Sequence, residues 1–150
     1  MVNNVNPAGS RDIQALQVYL AEYEQQAGIF ARQLELLENR RIESIAATES
    51  IKYLVAQQDQ VVLVPLGGGT TVRAKILDPG KVLVNFGADV VVQRSTDEAI
   101  TFLSDRITEL EALEKKIAAS LDQIRAQMNQ IAQQIELAYQ EAGAGAQANP

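Results

Sequence analysis

The stretch VVLVPLGGGTTVRAKILDPGKVLVNFGADVVVQRSTDE, residues 61–98, decides the fold of this chain. Its β-branched and apolar residues fall into four runs separated by glycine-containing turn signals, at 61–66, 70–77, 81–86 and 90–94. Such tight links predict two successive β-hairpins and favour an antiparallel meander. The stretch is therefore expected to form four short strands.

The apolar content of these runs predicts that the strands do not stay alone. Only the second run alternates cleanly between apolar and polar residues, whereas its neighbours supply apolar side chains to both faces. Two small hairpins cannot cover that much apolar surface, and uncovered strand edges aggregate. We therefore expect strands of several chains to close into a shared β assembly through Val62, Val64, Leu66, Val82, Val84, Phe86 and Val91.

The glycines at 67–69 have a second possible interpretation, as a phosphate cradle. A phosphate-binding loop needs a lysine and a Ser or Thr that open a helix, but Thr70 and Thr71 open a predicted strand. Glycine is also the residue that most readily adopts left-handed turn conformations. The hairpin-turn interpretation is therefore preferred.

Heptad patterns flank the stretch on both sides. The sequence STDE predicts a capping box between Ser95 and Glu98, directly before a regular C-terminal seam. The N-terminal seam weakens where Arg41, Ser44 and Thr48 occupy its positions. Alternating steps of three and four are typical of coiled coils. The C-terminal seam residues are Ile100, Leu103, Ile107, Leu110, Ile117, Leu121, Ile124, Met128, Ile131, Ile135 and Ala138.

The two patterns are nearly equal in length, which predicts an antiparallel coiled-coil hairpin with both chain ends at one tip. The fold class is thus α+β, with two central β-hairpins inserted between the helices. We expect a single domain, with Ser10 as the N-cap of the first helix. Its predicted parts are helices at 10–58 and 96–142, hairpins within 61–94, and flexible tails at 1–9 and 143–150.

Composition narrows the classes of function. Thirteen basic and nineteen acidic residues give a net charge of -6, which disfavours nucleic acid or an anionic membrane as a partner. The chain has no histidine and no cysteine, so common catalytic and metal-binding side chains are missing. We predict no catalytic residues, no cofactor and no metal. No apolar run approaches a membrane span, and residues 1–10 lack signal-peptide features, which predicts a cytoplasmic protein.

Arg41 and Glu114 each interrupt an apolar seam at the same heptad position of their helix. In an antiparallel hairpin folded about the β segment, positions whose numbers add to about 155 lie opposite each other, and this pair fits within a turn. One hypothesis is that the two side chains pair across the seam and fix its register. The alternative is that each extends its charged head to solvent.

Apolar residues near the chain ends form the candidate binding site. One explanation is ordinary packing between the two helices. The functional interpretation is that an opened tip presents these side chains to apolar segments of another, non-native protein. The candidates are Ile13, Leu16, Val18, Tyr19, Leu20, Met128, Ile131, Ile135, Leu137 and Tyr139.

The motifs VPLGGG, VLVNFGADVVV and DEAITFL, in the order helix, two hairpins, helix, resemble the α-class subunit of archaeal prefoldin. The resemblance covers residues 13–139, and two hairpins fit the α class because β-class subunits carry one. It implies a heterohexamer of two α and four β subunits joined in a double β-barrel. It also implies ATP-independent binding of unfolded proteins at the coil tips and delivery to a group II chaperonin, without catalytic residues.

Two other classes of function also use a coiled-coil hairpin. A structural coiled-coil scaffold with a β oligomerisation hub would show the same sequence patterns without affinity for unfolded chains. A transcript-cleavage-type factor would push a coiled-coil hairpin into a polymerase channel, but it needs an acidic loop at the hairpin tip. Here strands occupy the loop position, and the tip consists of the two chain termini.

Overall fold

The computed structural model describes residues 7–57 and 59–147. Two long helices pack antiparallel, and two β-hairpins lie between them in the sequence. This confirms the predicted order of helix, two hairpins and helix. The elements are α1 (Pro7–Ala56), β1 (Val61–Gly67), β2 (Thr70–Lys75), β3 (Lys81–Asn85), β4 (Val91–Ser95) and α2 (Thr96–Gln147).

Both helices extend further towards the chain ends than predicted. Helix α1 begins three residues before position 10, so Ser10 lies inside the helix and is not its N-cap. It ends two residues before the predicted position 58. Helix α2 continues five residues past 142, because each glycine of the GAGA sequence costs only about 1 kcal/mol of helix propensity and alanine favours the helix. The remaining predicted tails, 1–6 and 148–150, lie outside the described residues.

The chain divides into two compact units, and the first comprises residues 1–36 and 113–150. It contains the beginning of α1 and the end of α2. The predicted seam positions are the less exposed ones on both helices, with Ile13, Leu121 and Ile124 buried. The Gln17 Nε2 atom donates a hydrogen bond to the Tyr139 hydroxyl at 3.2 Å. Because 17 and 139 add to 156, this bond agrees with the predicted antiparallel register.

The second unit, residues 37–112, contains the end of α1, both hairpins and the beginning of α2. Here the buried stripe of α1 continues through positions where the sequence predicts the seam to weaken. Ser44 is buried, and its hydroxyl donates to the Arg40 carbonyl at 2.9 Å. The Thr48 hydroxyl donates to the Ser44 carbonyl at 2.9 Å. These polar residues occupy the seam because the helix itself accepts their hydrogen bonds.

The strands form two separate two-stranded antiparallel sheets, β1 with β2 and β3 with β4. The prediction of one continuous meander is therefore wrong, because β2 and β3 are not neighbours in a sheet. A turn separates them, in which the Lys81 amide donates to the Asp78 carbonyl at 3.3 Å and Asp78 Oδ1 accepts from the Gly80 amide. Leu77 in this connection is 98% exposed.

The glycines at 67–69 form the turn of the first hairpin. All three have a positive φ, and the Thr70 hydroxyl donates to the Gly67 carbonyl at 2.6 Å. Thr70 is also the first residue of β2. The hairpin-turn interpretation is thus confirmed, and the phosphate-cradle interpretation is wrong because a strand follows the loop.

The predicted capping box at the start of α2 is confirmed. The Glu98 amide donates to Ser95 Oγ at 3.2 Å, and the Ser95 amide donates to Glu98 Oε2 at 3.1 Å. The hydrogen bond from the Ser95 amide, followed by that from its hydroxyl, lowers the pKa of Glu98, with a smaller contribution from the charge of Arg94. These bonds fix the point at which strand β4 becomes helix α2.

We expect Ser95→Ala to lower the free energy of unfolding by about 1 kcal/mol, because the Glu98 amide in the first turn of α2 loses its acceptor, the Ser95 hydroxyl. The lowered pKa of Glu98 means that its stabilising contribution is present above the ordinary glutamate pKa and is lost as the pH falls through the folded value. Glu98→Gln should therefore reduce the loss of stability as the pH falls below the ordinary glutamate pKa, measured by helical circular dichroism of the full chain. Glu109→Gln, an exposed position within α2, is the control and should leave that pH dependence unchanged.

Candidate functional site

The structure separates the predicted binding residues near the chain ends into two groups. Val18, Tyr19, Leu137 and Tyr139 are between 54 and 66% exposed and form what we call the exposed quartet. The other candidates lie in the seam: Ile13 is buried, and Leu16, Leu20, Met128, Ile131 and Ile135 are half-buried. Among these candidates, the exposed quartet alone is largely accessible to another molecule without separation of the helices.

The hydrogen bond between Gln17 and Tyr139 brings the two halves of the exposed quartet to the same level of the first unit. Gln17 directly precedes Val18 and Tyr19, and Tyr139 belongs to the quartet itself. The side chains that face the partner helix at this level are the seam residues Leu16 and Ala138, both half-buried. The quartet therefore projects from a pair of helices whose register is fixed by packing and by a hydrogen bond.

The sequence predicts binding residues by their apolar character, and this signal does not distinguish the seam from the outer surface. Seam residues recur at steps of three and four, and Val18 and Leu137 fall outside that repeat. Heptad position in the sequence therefore already separates the exposed quartet from the candidates in the seam. The role of the candidate residues in binding stays a prediction.

The strand residues predicted to join several chains are partly or largely exposed in the single chain. Val62, Val82 and Val84 are half-buried, whereas the others are exposed. Leu63 and Leu83 are not among the predicted strand residues, yet they are 66% and 72% exposed. Leu63 lies in the apolar run VVLV and Leu83 in the run VLV. Because these runs place apolar side chains on both faces of a strand, that pattern could have identified both leucines. The predicted strand residues in the exposed class are Val64, Leu66, Phe86 and Val91.

The second hairpin contacts the beginning of α2 through an aromatic pair. The rings of Phe86 and Phe102 have centroids 5.0 Å apart and are tilted by 59°. The Arg94 guanidinium lies 6.0 Å from the centroid of the Phe86 ring. Ala99, one turn before Phe102, is almost fully buried. These contacts place the second hairpin against the first turns of α2.

Arg41 and Glu114 are both half-buried, as expected for seam positions. Their pairing stays a prediction. We expect a double-mutant cycle with Arg41→Leu and Glu114→Leu to give a coupling energy of at least about 0.5 kcal/mol in chemical unfolding of the full chain. The exposed pair Lys52 and Glu49, 3.1 Å apart, is the matched control, with coupling near zero to about 0.5 kcal/mol. Equal coupling in the two cycles would refute a register-fixing pair.

The described residues were also compared with the requirements of a metal site and of a membrane span. Among residues 7–57 and 59–147, no group of three or more Asp or Glu side chains could hold a metal ion. Within the same residues, neither helix has an apolar stretch suited to crossing a membrane.

Comparisons with known proteins agree on one family. The family model described as prefoldin subunit matches residues 23–141. Prefoldin subunit alpha of Methanoregula boonei is 49% identical over 134 residues, covering 89% of this chain and 88% of that protein. Prefoldin subunit alpha of Methanoculleus marisnigri is 48% identical over 135 residues, covering 90% and 91%. The corresponding protein of Pyrococcus horikoshii is 28% identical, covering 85% and 87%.

A solved structure supports the fold. A chain in the cryo-EM structure of filamentous PFD from Methanocaldococcus jannaschii aligns with a TM-score of 0.50. The alignment covers 89% of this chain and 99% of that chain, with 18% sequence identity. At this identity the similarity concerns the arrangement of the helices and hairpins alone.

Proposed function

This chain belongs to the prefoldin subunit family, in its alpha class, and on that premise we propose that it is an ATP-independent holdase subunit. Prefoldin subunits are non-enzymatic chaperones, so the chain is not an enzyme. In the proposed function it binds unfolded proteins near the ends of its coiled coil and delivers them to a group II chaperonin. The observation that carries the proposal is the exposed quartet, four large apolar side chains that lie outside the seam near the chain ends.

The chemistry of the exposed quartet suits unfolded clients. An unfolded protein exposes apolar side chains, and burying one large apolar side chain contributes about 1.5–3 kcal/mol. Valine, leucine and tyrosine side chains offer contact without demanding a particular hydrogen-bonding partner. Several weak contacts made by linked subunits give a high overall affinity for the client, because after the first contact every further one forms within the same complex. The quartet can thus bind many different sequences.

We propose that the strands assemble with prefoldin beta subunits into a heterohexamer of two α and four β subunits. The proposal is supported by the apolar side chains that both hairpins leave exposed, among them Leu63, Leu66 and Leu83. Two-stranded sheets are marginal alone in water, and large exposed apolar surfaces usually mark interaction sites. We further propose that the chain acts as one domain, located in the cytoplasm and without nucleic acid or membrane partners.

The test is suppression of aggregation. The chain is assembled with beta subunits, and a chemically denatured client is diluted into a stoichiometric excess of the complex. Light scattering should stay low without ATP, and the client should regain activity only after a group II chaperonin and ATP are added. Unchanged aggregation would exclude the holdase function and leave the structural scaffold.

A further inference from the structure

The exposed quartet has carboxylates close beside it on α1. Glu22 follows Val18 by four residues and Tyr19 by three, so it lies one helical turn away on the same face as both. All of these side chains are exposed. A molecule that covers Val18 and Tyr19 therefore comes within reach of the Glu22 carboxylate.

Helix α2 repeats this arrangement. Glu136 precedes Tyr139 by three residues, and Glu141 follows Leu137 by four. Both carboxylates are exposed. Each member of the exposed quartet thus has a carboxylate one helical turn away, on two separate helices that meet at the Gln17–Tyr139 hydrogen bond.

Basic side chains are scarce in the sequence around these carboxylates. Residues 12–31 contain three acidic residues and no lysine or arginine, and residues 126–150 contain two acidic residues and no lysine or arginine. The arginines at positions 11, 32 and 125 directly flank these stretches. The ion pair on α2 nearest in sequence, between Arg125 and Asp122, precedes Leu137 by more than three turns. This part of the chain combines exposed apolar side chains with more carboxylates than basic groups.

We propose that the exposed quartet preferentially binds unfolded segments in which apolar or aromatic side chains are interspersed with lysine or arginine. The proposal rests on the proposed function and adds a client class to it. Because Leu137 and Tyr139 are two residues apart, they lie on different sides of α2. The apolar side chains of such a segment therefore cover the members of the quartet on one side at a time, and its cationic groups meet the carboxylate one helical turn away, which is Glu22, Glu136 or Glu141. A segment rich in glutamate or aspartate offers the same apolar contact but is repelled by these carboxylates.

The same charges act before contact is made. The chain carries a net charge of -6, so its field attracts cationic segments and accelerates their encounter. Exposed charges are screened over about 10 Å at 0.1 M salt, whereas burial of apolar surface is not weakened in this way. Salt should therefore remove the preference among clients while leaving binding of neutral apolar segments largely intact.

The experiment uses the assembled complex with beta subunits and fluorescent, unstructured peptides. All peptides share the same leucine and phenylalanine positions, and they carry lysine, glutamine or glutamate at the positions between. Fluorescence anisotropy gives a Kd for each at low and high ionic strength. We expect the lysine peptide to bind about fivefold more tightly than the glutamine peptide at low ionic strength, since a few exposed ion pairs contribute modestly.

The test variant combines Glu22→Gln, Glu136→Gln and Glu141→Gln. The control combines Glu38→Gln, Glu109→Gln and Glu111→Gln, which changes the net charge equally at exposed positions of the second unit. We expect the test variant to lose at least about half of the lysine preference, and the control to retain it.

The outcomes are distinct. Equal binding of the lysine and glutamine peptides, or the same lysine preference in test variant and control, would overturn the proposed client class while leaving the holdase function in place. Failure of all three peptides to bind at any ionic strength would instead overturn the holdase function. A preference that persists at high ionic strength would also contradict an origin in these exposed carboxylates.

Discussion

We expect Val84→Asp to prevent assembly of the complex with beta subunits. Val84 lies opposite Val92 in the second hairpin and is already half-buried in the single chain. If neighbouring strands cover it further, the substitution buries a carboxylate without a partner, at a cost of several kcal/mol. Native mass measurement should then show separate subunits in place of a hexamer. Val62→Asp, opposite Ala74 in the first hairpin, should act in the same way.

The matched control is Thr71→Asp, on the polar face of β2 opposite Pro65. It introduces the same carboxylate into the first hairpin at an exposed position and should leave the hexamer intact. Circular dichroism of each variant separates loss of assembly from unfolding, because α1 and α2 should keep their helical signal. A native hexamer formed with Val84→Asp would refute the burial of this strand face in the assembly.

We expect replacement of the exposed quartet by serine to weaken client capture by at least about tenfold, because several linked apolar contacts are lost together. Assembly should persist, since the quartet belongs to the first unit and the hairpins to the second. Removing residues 1–20 together with 128–150 should have the same effect. The measurement is the apparent Kd for a denatured client, alongside native mass.

A suitable control replaces other exposed apolar residues, Leu36, Ile42, Ile45 and Tyr53, by serine. This control removes as many apolar side chains but should leave capture within about twofold of the wild type, as expected for surface residues outside a contact. Tyr139→Phe separates the two properties of that residue, because it removes the hydroxyl that accepts from Gln17 and keeps the ring. Unchanged capture by the quartet variant would exclude these residues as the client site.

Local signals allowed much of the fold to be predicted. The capping box at Ser95 and Glu98 forms as expected, since both hydrogen bonds depend on residues only three positions apart. The heptad positions coincide with the less exposed face of each helix, because that face is the part that packs. Glycines at 67–69 form the expected turn because their positive φ is accessible to glycine.

The burial of Ser44 and the pairing of the strands could not be predicted from neighbouring residues in the sequence. In the sequence Ser44 looks like an interruption of the seam. It can be buried because its hydroxyl donates a hydrogen bond to the Arg40 carbonyl. The strands looked like one meander, but the turn at Asp78 separates β2 from β3 and produces two sheets. Strand pairing joins residues distant in sequence, so short links alone do not specify it.

The sequence by itself determined the order of the elements, the start of α2, the hairpin turns and the seam, because each follows from the spacing of nearby residues. Only the tertiary structure decided that the four strands form two separate sheets, and how far the apolar residues outside the seam are exposed. Val18 and Leu137 are as apolar as Ile13 and Ile135, and their exposure depends on which face of each helix meets its partner. That pairing of faces leaves the exposed quartet, with its flanking carboxylates, available for binding.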